Sequence, residues 1–450
     1  MAVRWDLPLR SRMTGTTRAR VGHIADRSVV LVESELDRHQ GALSSADGLR
    51  IEAAANHARA MGLPLVLILS SSGADVAEGL PALHGWGGAA RAVVGCSGVV
   101  PVLIAVDGPA LSGPALLLGL ADLVVMTERA YAYVSGPNMV RAFTGEEVSV
   151  EELGGAWTHA RFAGTTVQVV ANREAAVELL GALLTYLPNS CDELPPLIPT
   201  DDPLDRATPE AGALLPEGDT GSYDVRSVAA ALVDDGELLE LRGGWAPNLF
   251  TGLASLGGRP VGVVANQPQS IAGTLDIPAS QKGARFVAFC DAFNLPLLTL
   301  IDTPGFYPGK DLEWRGMIRH GAQLAFAYAR ATVPRLAVTL RKSYGGAYIV
   351  MDSRFMGNDL MLAWPTAQIA VMGGPQAAEI IMRRGNAEER AAFVADYDRR
   401  LLNPWVAASR GTVDIVISPA ETRKALCEAL ETFSGKRERL VGRRHDNSPL

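Results

Sequence analysis

The sequence predicts an α/β fold in which one domain occurs twice, joined by a proline-rich segment. Three observations carry this. Apolar strand-like runs alternate with helical patterns in both halves, short motifs recur at one nearly constant offset, and composition changes near the middle of the 450-residue chain.

In the first half, Ile51 to Met61 has the apolar content of a helix, and Leu63-Pro64-Leu65 opens the run LPLVLILS before a glycine-containing turn. Runs of this length without polar alternation belong to strands covered on both faces, as in parallel sheets. Pro101 then precedes VLIAV, and Ser112-Gly113-Pro114-Ala115 forms a small-residue turn into a helix. The second half repeats the rhythm. Gln281 to Asn294 is helical, Leu295-Pro296-Leu297 opens LPLLTLID before Thr303-Pro304-Gly305, and Pro334 precedes RLAVTL and Gly345-Gly346-Ala347. Leu63 and Leu295 lie 232 positions apart, while Pro101 and Pro334, like Gly113 and Gly346, lie 233 apart. Asp122-Leu-Val-Val and the Ala132 to Pro137 segment find echoes at Asp359 and at Ala370 to Pro375. Matches at one offset predict a duplicated domain. Between the copies, Pro188, Pro195, Pro196, Pro199, Pro203, Pro209 and Pro216 sit among acidic residues, the composition of a stiff linker. The expected boundaries are 1–186, a linker over 187–221, and 222–450.

Composition narrows the function. With 48% hydrophobic and 20% charged residues the chain supports a sizeable core. A net charge of -8 without a basic block argues against a nucleic-acid partner. The longest apolar stretch, Val99 to Met126, carries Asp107, Asp122 and three prolines, so no membrane span is expected. The segment MAVRWDLPLRSRMTG lacks the apolar core of a secretory signal, which makes the cytoplasm the expected location. Four cysteines form no C-x-x-C pair and the seven histidines are scattered, so no metal site is expected.

The strongest chemical signal is RKSYGGAYIVM, residues 341–351. An apolar strand runs into Gly345-Gly346-Ala347, where unpaired N–H groups at a helix start favour negative charge. This is either an oxyanion site or a tight structural turn. The equivalent turn holds Ser112 and Gly113, but Pro114 fixes φ and removes one donor, so this copy is expected to be the weaker one. Asp302 before Thr303-Pro304-Gly305 fits ordinary turn chemistry. Trp364-Pro365 fits a packed turn, Lys282 a solvated, capping or ligand-binding position, and KRERLVGRRH (436–445) a solvated helix end. Phosphate-loop, dinucleotide and nucleophile-elbow motifs are absent from the sequence. Backbone anion sites without an evident side-chain base suggest enolate chemistry with the base supplied by a cofactor or co-substrate.

The segments GGAYIVM, AWPTAQIAVMGGPQAAEII, VGVVANQPQSIAGTLDI, LIDTPGFYPG, NLFTG and LLNPWVAASRGTVDIVI together resemble the carboxyltransferase β subunit of acyl-CoA carboxylases, of propionyl-CoA and acetyl-CoA type. The likeness is strong from residue 130 onward and patchy over 30–130. It implies two tandem crotonase-like domains, a homo-hexamer, and active sites formed by the N-domain of one subunit and the C-domain of another. It implies that carboxybiotin, carried by a separate biotin carboxylase or carrier subunit, yields CO2, and that the biotin anion takes the α-proton of an acyl-CoA whose enolate is carboxylated. No metal is implied. Carried over by position, Gly345, Gly346 and Ala347 match the biotin side, Ser112 and Gly113 the acyl-CoA side, and Ile349, beside Tyr348, the acyl pocket.

The departures lie in the first half. The family's Ser-Gly-Gly-Ala-Arg loop stands here as Ser70-Ser71-Ser72-Gly73-Ala74-Asp75, with acid in place of base, which weakens the expected attraction for CoA phosphates at Gly73 and Ala74. The expected function is carboxyl transfer to a short acyl-CoA or carrier-bound thioester. Its rivals are a biotin-independent malonyl- or methylmalonyl-thioester decarboxylase and a non-catalytic assembly subunit.

Overall fold

The computed structural model describes residues 5–8, 15–218 and 220–436, with 438, 440, 442 and 447–449 beyond them. Most of KRERLVGRRH thus lies outside the described residues. The chain divides into two compact units, Met1–Pro196 with Arg242–Trp245 and Ala292–Asn294, and Leu197–Leu241 with Ala246–Asp291 and Leu295–Leu450.

The first unit holds β1 (Trp5–Pro8), β2 (Thr17–Ile24), β3 (Arg27–Ser34), β4 (Leu65–Ser71), β5 (Val102–Leu111), β6 (Leu123–Thr127), β7 (Tyr131–Tyr133) and β8 (Gln168–Val170). They form one sheet in the order β1-β2-β3-β4-β5-β6-β8, with β7 also on β5. The β1-β2-β3 edge is antiparallel and the rest parallel. Every residue of β4 is buried, as its unbroken apolar run requires. The helix Ser45–Met61 begins six residues before the apolar pattern does, because Ser44 and Asp47 form a capping box. It crosses Leu80–Val94 so closely that a Cβ on Gly48 would lie 2.1 Å from the Gly85 carbonyl carbon.

The second unit repeats the plan with β9 (Leu239–Glu240), β10 (Leu249–Leu256), β11 (Arg259–Asn266), β12 (Leu297–Thr303), β13 (Arg335–Tyr344), β14 (Leu360–Ala363), β15 (Gln368–Ala370) and β16 (Ile415–Val416). Their order is β16-β14-β13-β12-β11-β10-β9, with β15 also on β13. An antiparallel hairpin again leads into parallel strands. Its core packs Phe250, Leu298, Val338, Trp364 and Leu426 together. From Leu197 the proline-rich stretch packs onto this unit: Ala211 is buried, Thr208 Oγ1 donates to the Pro419 carbonyl at 2.7 Å, and the buried Arg423 donates to Pro203 O at 3.1 Å. No described helix is long and apolar enough to cross a membrane.

Candidate active site

In the second unit β13 passes directly into the short helix Gly345–Val350. Gly345 takes φ +58°, a region that side chains avoid, and a Cβ there would stand 3.2 Å from the Val371 carbonyl. Gly346 is crowded for another reason. The Phe306 ring lies 3.3 Å from where its Cβ would be. As first-turn residues, Gly346 and Ala347 have N–H groups without an intrahelical acceptor, carrying partial positive charge. Beside them lies a cavity of about 420 Å³ lined by Gly345, Gly346, Tyr348, Ile349, Ile369 and Val371 among others. Arg410 is its single charged lining residue, so the wall offers no carboxylate or imidazole as a base. Burial raises the pKa of the Tyr348 hydroxyl, keeping it protonated.

A second loop reaches this turn. Leu275 N–H donates to Gly305 O at 3.1 Å, and Tyr307 N–H donates to Leu275 O at 2.9 Å. In such a parallel bridge the residue between, Phe306, turns its own N–H to the opposite edge. Asp302 corrects the expectation of plain turn chemistry: it lies one residue before the end of a fully buried strand and takes the Arg341 guanidinium at 3.0 Å. The repeat held the missing signal, since Thr303 and Gly305 stand 232 residues after Ser71 and Gly73.

The first unit shows the same bridge. Leu43 N–H donates to Gly73 O at 2.8 Å, Asp75 N–H donates to Leu43 O at 2.9 Å, and Ala74 turns its N–H away from both. Asp75 is occupied locally, accepting from the Ala77 N–H at 2.9 Å. At the adjoining turn Ser112 adopts φ 58°, the value of Gly345. Its N–H is spent on the Tyr133 carbonyl at 2.9 Å, and Pro114 has none, so the Gly113 N–H is the donor this turn offers. Positive φ at a serine stores strain of order 1–3 kcal/mol, partly offset by the entropy a glycine loses on folding. Ser112→Gly is therefore expected to raise stability by about 1 kcal/mol, read as a higher midpoint of thermal or urea unfolding. An unchanged or lower midpoint contradicts this.

Other candidates are placed plainly. Lys282 is neither solvated nor a cap: it is buried and donates to the Ala246 carbonyl at 3.3 Å. Trp364 is buried in a packed turn, its Nε1 donating to Thr422 Oγ1 at 2.9 Å. A charged hollow of about 580 Å³ in the first unit is lined by arginines that meet acids, Arg20 and Arg173 at Glu33 and Arg129 at Asp107. Burial pushes the Asp107 carboxyl up, but hydrogen bonds from Arg129 and Thr127 outweigh it and leave its pKa lowered. Among the described residues no group of His, Cys, Asp and Glu is arranged to hold a metal ion.

Comparison with known proteins shows the family and the fold. The family model described as "Carboxyl transferase domain" matches residues 13–448. The propionyl-CoA carboxylase beta chain of Saccharopolyspora erythraea is 42% identical over 448 residues, 95% of this chain and 82% of that one. The methylmalonyl-CoA decarboxylase subunit alpha of Veillonella parvula is 38% identical over 99% of this chain and 86% of its own. The crystal structure of transcarboxylase 12S, a hexamer solved with hydrolysed methylmalonyl-coenzyme A bound, superposes with a TM-score of 0.95 at 38% identity, covering 97% of this chain and 85% of that one. With one fold and one glycine turn built twice, and a match over nearly its whole length, this chain belongs to the carboxyl transferase domain family and is a carboxyltransferase with two tandem crotonase-like domains.

Proposed function

We propose that the chain transfers a carboxyl group from carboxybiotin, borne on a separate carrier subunit, to the α carbon of a short acyl-CoA or related thioester of propionyl type. The observation that carries this is the apolar cavity at Gly345 and Gly346, which joins amide donors to a wall without a side-chain base. Such a cavity fits a compact bicyclic urea with an aliphatic tail. When bound, carboxybiotin supplies the carboxyl group and, after its release, the base. The Gly346 and Ala347 N–H groups hold the ureido oxygen, with Phe306 N–H beside them. Gly113 and Ala74 N–H groups hold the thioester oxygen where negative charge develops. Ile349 presents an apolar wall suited to a short alkyl chain.

A biotin carboxylase and carrier partner, a homo-hexamer and a cytoplasmic setting belong to this proposal. The four free cysteines suit a reducing compartment. The test is a thioester panel with labelled bicarbonate, ATP and a biotinylated carrier system. Label is expected in a short acyl thioester, and avidin is expected to abolish it. Label that persists with avidin contradicts the proposal.

A second reading, decarboxylation of a malonyl-type thioester, is favoured by the likeness to a decarboxylase subunit. CO2 release from malonyl- or methylmalonyl-thioesters without biotin supports it over transfer, and no release rejects it.

A further inference from the structure

The ladder between β12 and β13 is irregular next to the glycine turn. Ile301 pairs with Thr339, yet Thr303 pairs with Ser343. Two steps on one strand thus oppose four on the other, and the surplus bulges immediately before Tyr344, Gly345 and Gly346. A bulge leaves ladder groups unpaired. Asp302 lies opposite it and fills the gap: Oδ1 accepts the Lys342 N–H at 3.0 Å, and Oδ2 accepts Arg341 Nε at 3.0 Å. The Tyr223 hydroxyl donates to Oδ2 at 2.9 Å, and the Arg341 guanidinium sits 5.4 Å from the Tyr223 ring centre. Arg341 Nη1 donates to Gly221 O at 2.8 Å. Asp302 is 2% and Arg341 6% exposed.

The first unit supplies a control within the same chain. Leu69 pairs with Val106 and Ser71 with Ala110, the same bulge. There Ser70 stands for Asp302, Gly108 for Arg341, and Pro109, with no N–H, for Lys342. The Ser70 hydroxyl reaches the Asp107 carbonyl. A bulge of this shape therefore forms without a counterpart of the Asp302–Arg341 pair across the two strands, its own Asp107 being held instead by Arg129 at 2.6 Å. Burying two charges costs several kcal/mol of desolvation per ion, so stability alone does not account for the pair. Its position does. Phe306 follows Asp302 by four residues and Gly345 follows Arg341 by four.

We infer that Asp302 and Arg341, braced by Tyr223, are positioning residues that fix the spacing between the Phe306 loop and the Gly345-Gly346 turn. This rests on the reading that those amides bind the anion of carboxyl transfer. Small misplacements of a catalytic group cost on the order of 10²-fold in rate. The test uses the full chain with its carrier system and two conservative variants. Arg341→Lys keeps the charge and loses the planar fork, and Asp302→Asn keeps the shape and loses the charge. Both are expected to lower kcat by about 10- to 100-fold with KM for the acyl thioester within about twofold. Hydrogen exchange of the 343–350 amides is expected to quicken in both.

Should either fail to fold, Tyr223→Phe, which removes only the bracing hydroxyl, is read the same way, with a few-fold loss of kcat expected. A folded variant with wild-type kcat and exchange overturns the inference. So does a fall in kcat matched by an equal rise in KM for the thioester, the mark of general loosening. Wild-type chain that transfers no carboxyl group rejects the proposed function and the inference with it. Active wild type with indifferent variants rejects the inference alone.

Discussion

Gly346→Val is expected to lower kcat for carboxyl transfer by about 10²- to 10³-fold, the loss typical of removing one oxyanion donor. The cause is steric. Even a Cβ meets the Phe306 ring at 3.3 Å, and that ring is already 3.2 Å from the Cβ position of Gly321 on its other side. The γ-methyls of valine add bulk beyond that Cβ, so the start of the helix is expected to move and the Gly346 N–H to lose its aim. Gly113 and Ala74, proposed to hold the thioester oxygen, lie in the other unit, so KM for the thioester is expected to stay within about twofold. Steady-state kinetics over a thioester series checks both values. A valine variant with wild-type kcat removes this turn from the chemistry.

The largest stability effect is expected at Arg335. Its guanidinium is 2% exposed, donating to Asp352 Oδ1 at 2.8 Å and to Tyr328 O at 2.6 Å. Asp352 is fully buried at φ 58°, just past the end of the helix that carries Gly345 and Gly346. Arg335→Met leaves that carboxyl without its cation, at a cost of about 3–5 kcal/mol. Asp352→Asn in turn leaves the buried Arg335 guanidinium without its anion and is expected to cost a comparable amount at neutral pH. Urea unfolding at pH 7 measures both, and a cost under about 1 kcal/mol in either variant would contradict the account.

A pH dependence follows from the same carboxyl. Burial pushes the Asp352 pKa up to about 6 against the pull of Arg335, while an unfolded aspartate titrates near 4. Between those values the folded state holds more protons than the unfolded one. The group's contribution to stability therefore falls as pH rises from about 4 to 6, and is level above. Asp352→Asn is expected to flatten that slope. In Arg335→Met the carboxyl loses the cation holding its pKa down, so that variant's cost should be smaller at pH 5 than at pH 8.

The duplication was legible because strands buried on both faces leave unbroken apolar runs such as Leu65 to Leu69 and Leu297 to Ile301. Gly345 was legible because a left-handed residue after a strand admits few side chains. Gly305 and Phe306 were not, since proline and glycine after a strand read as any turn does. Only the register against Leu275 reveals that the Phe306 N–H is turned outward. Asp302 was misread, and the solvated and capping readings of Lys282 fail, for a shared reason: a charged residue in one sequence has no visible partner. Arg341 and the Ala246 carbonyl reach them through tertiary contacts at separations of 39 and 36 residues. Ser112 looked like a donor, and the carbonyl that consumes its N–H comes from Tyr133, on another strand.

The most direct test of the account is a crystal structure of the chain with a biotin ester and a short acyl-CoA. The account predicts the ureido oxygen within hydrogen-bond distance of the Gly346 or Ala347 N–H, and the thioester oxygen on Gly113. A structure with both ligands bound elsewhere, and these amides paired to protein carbonyls, would contradict it.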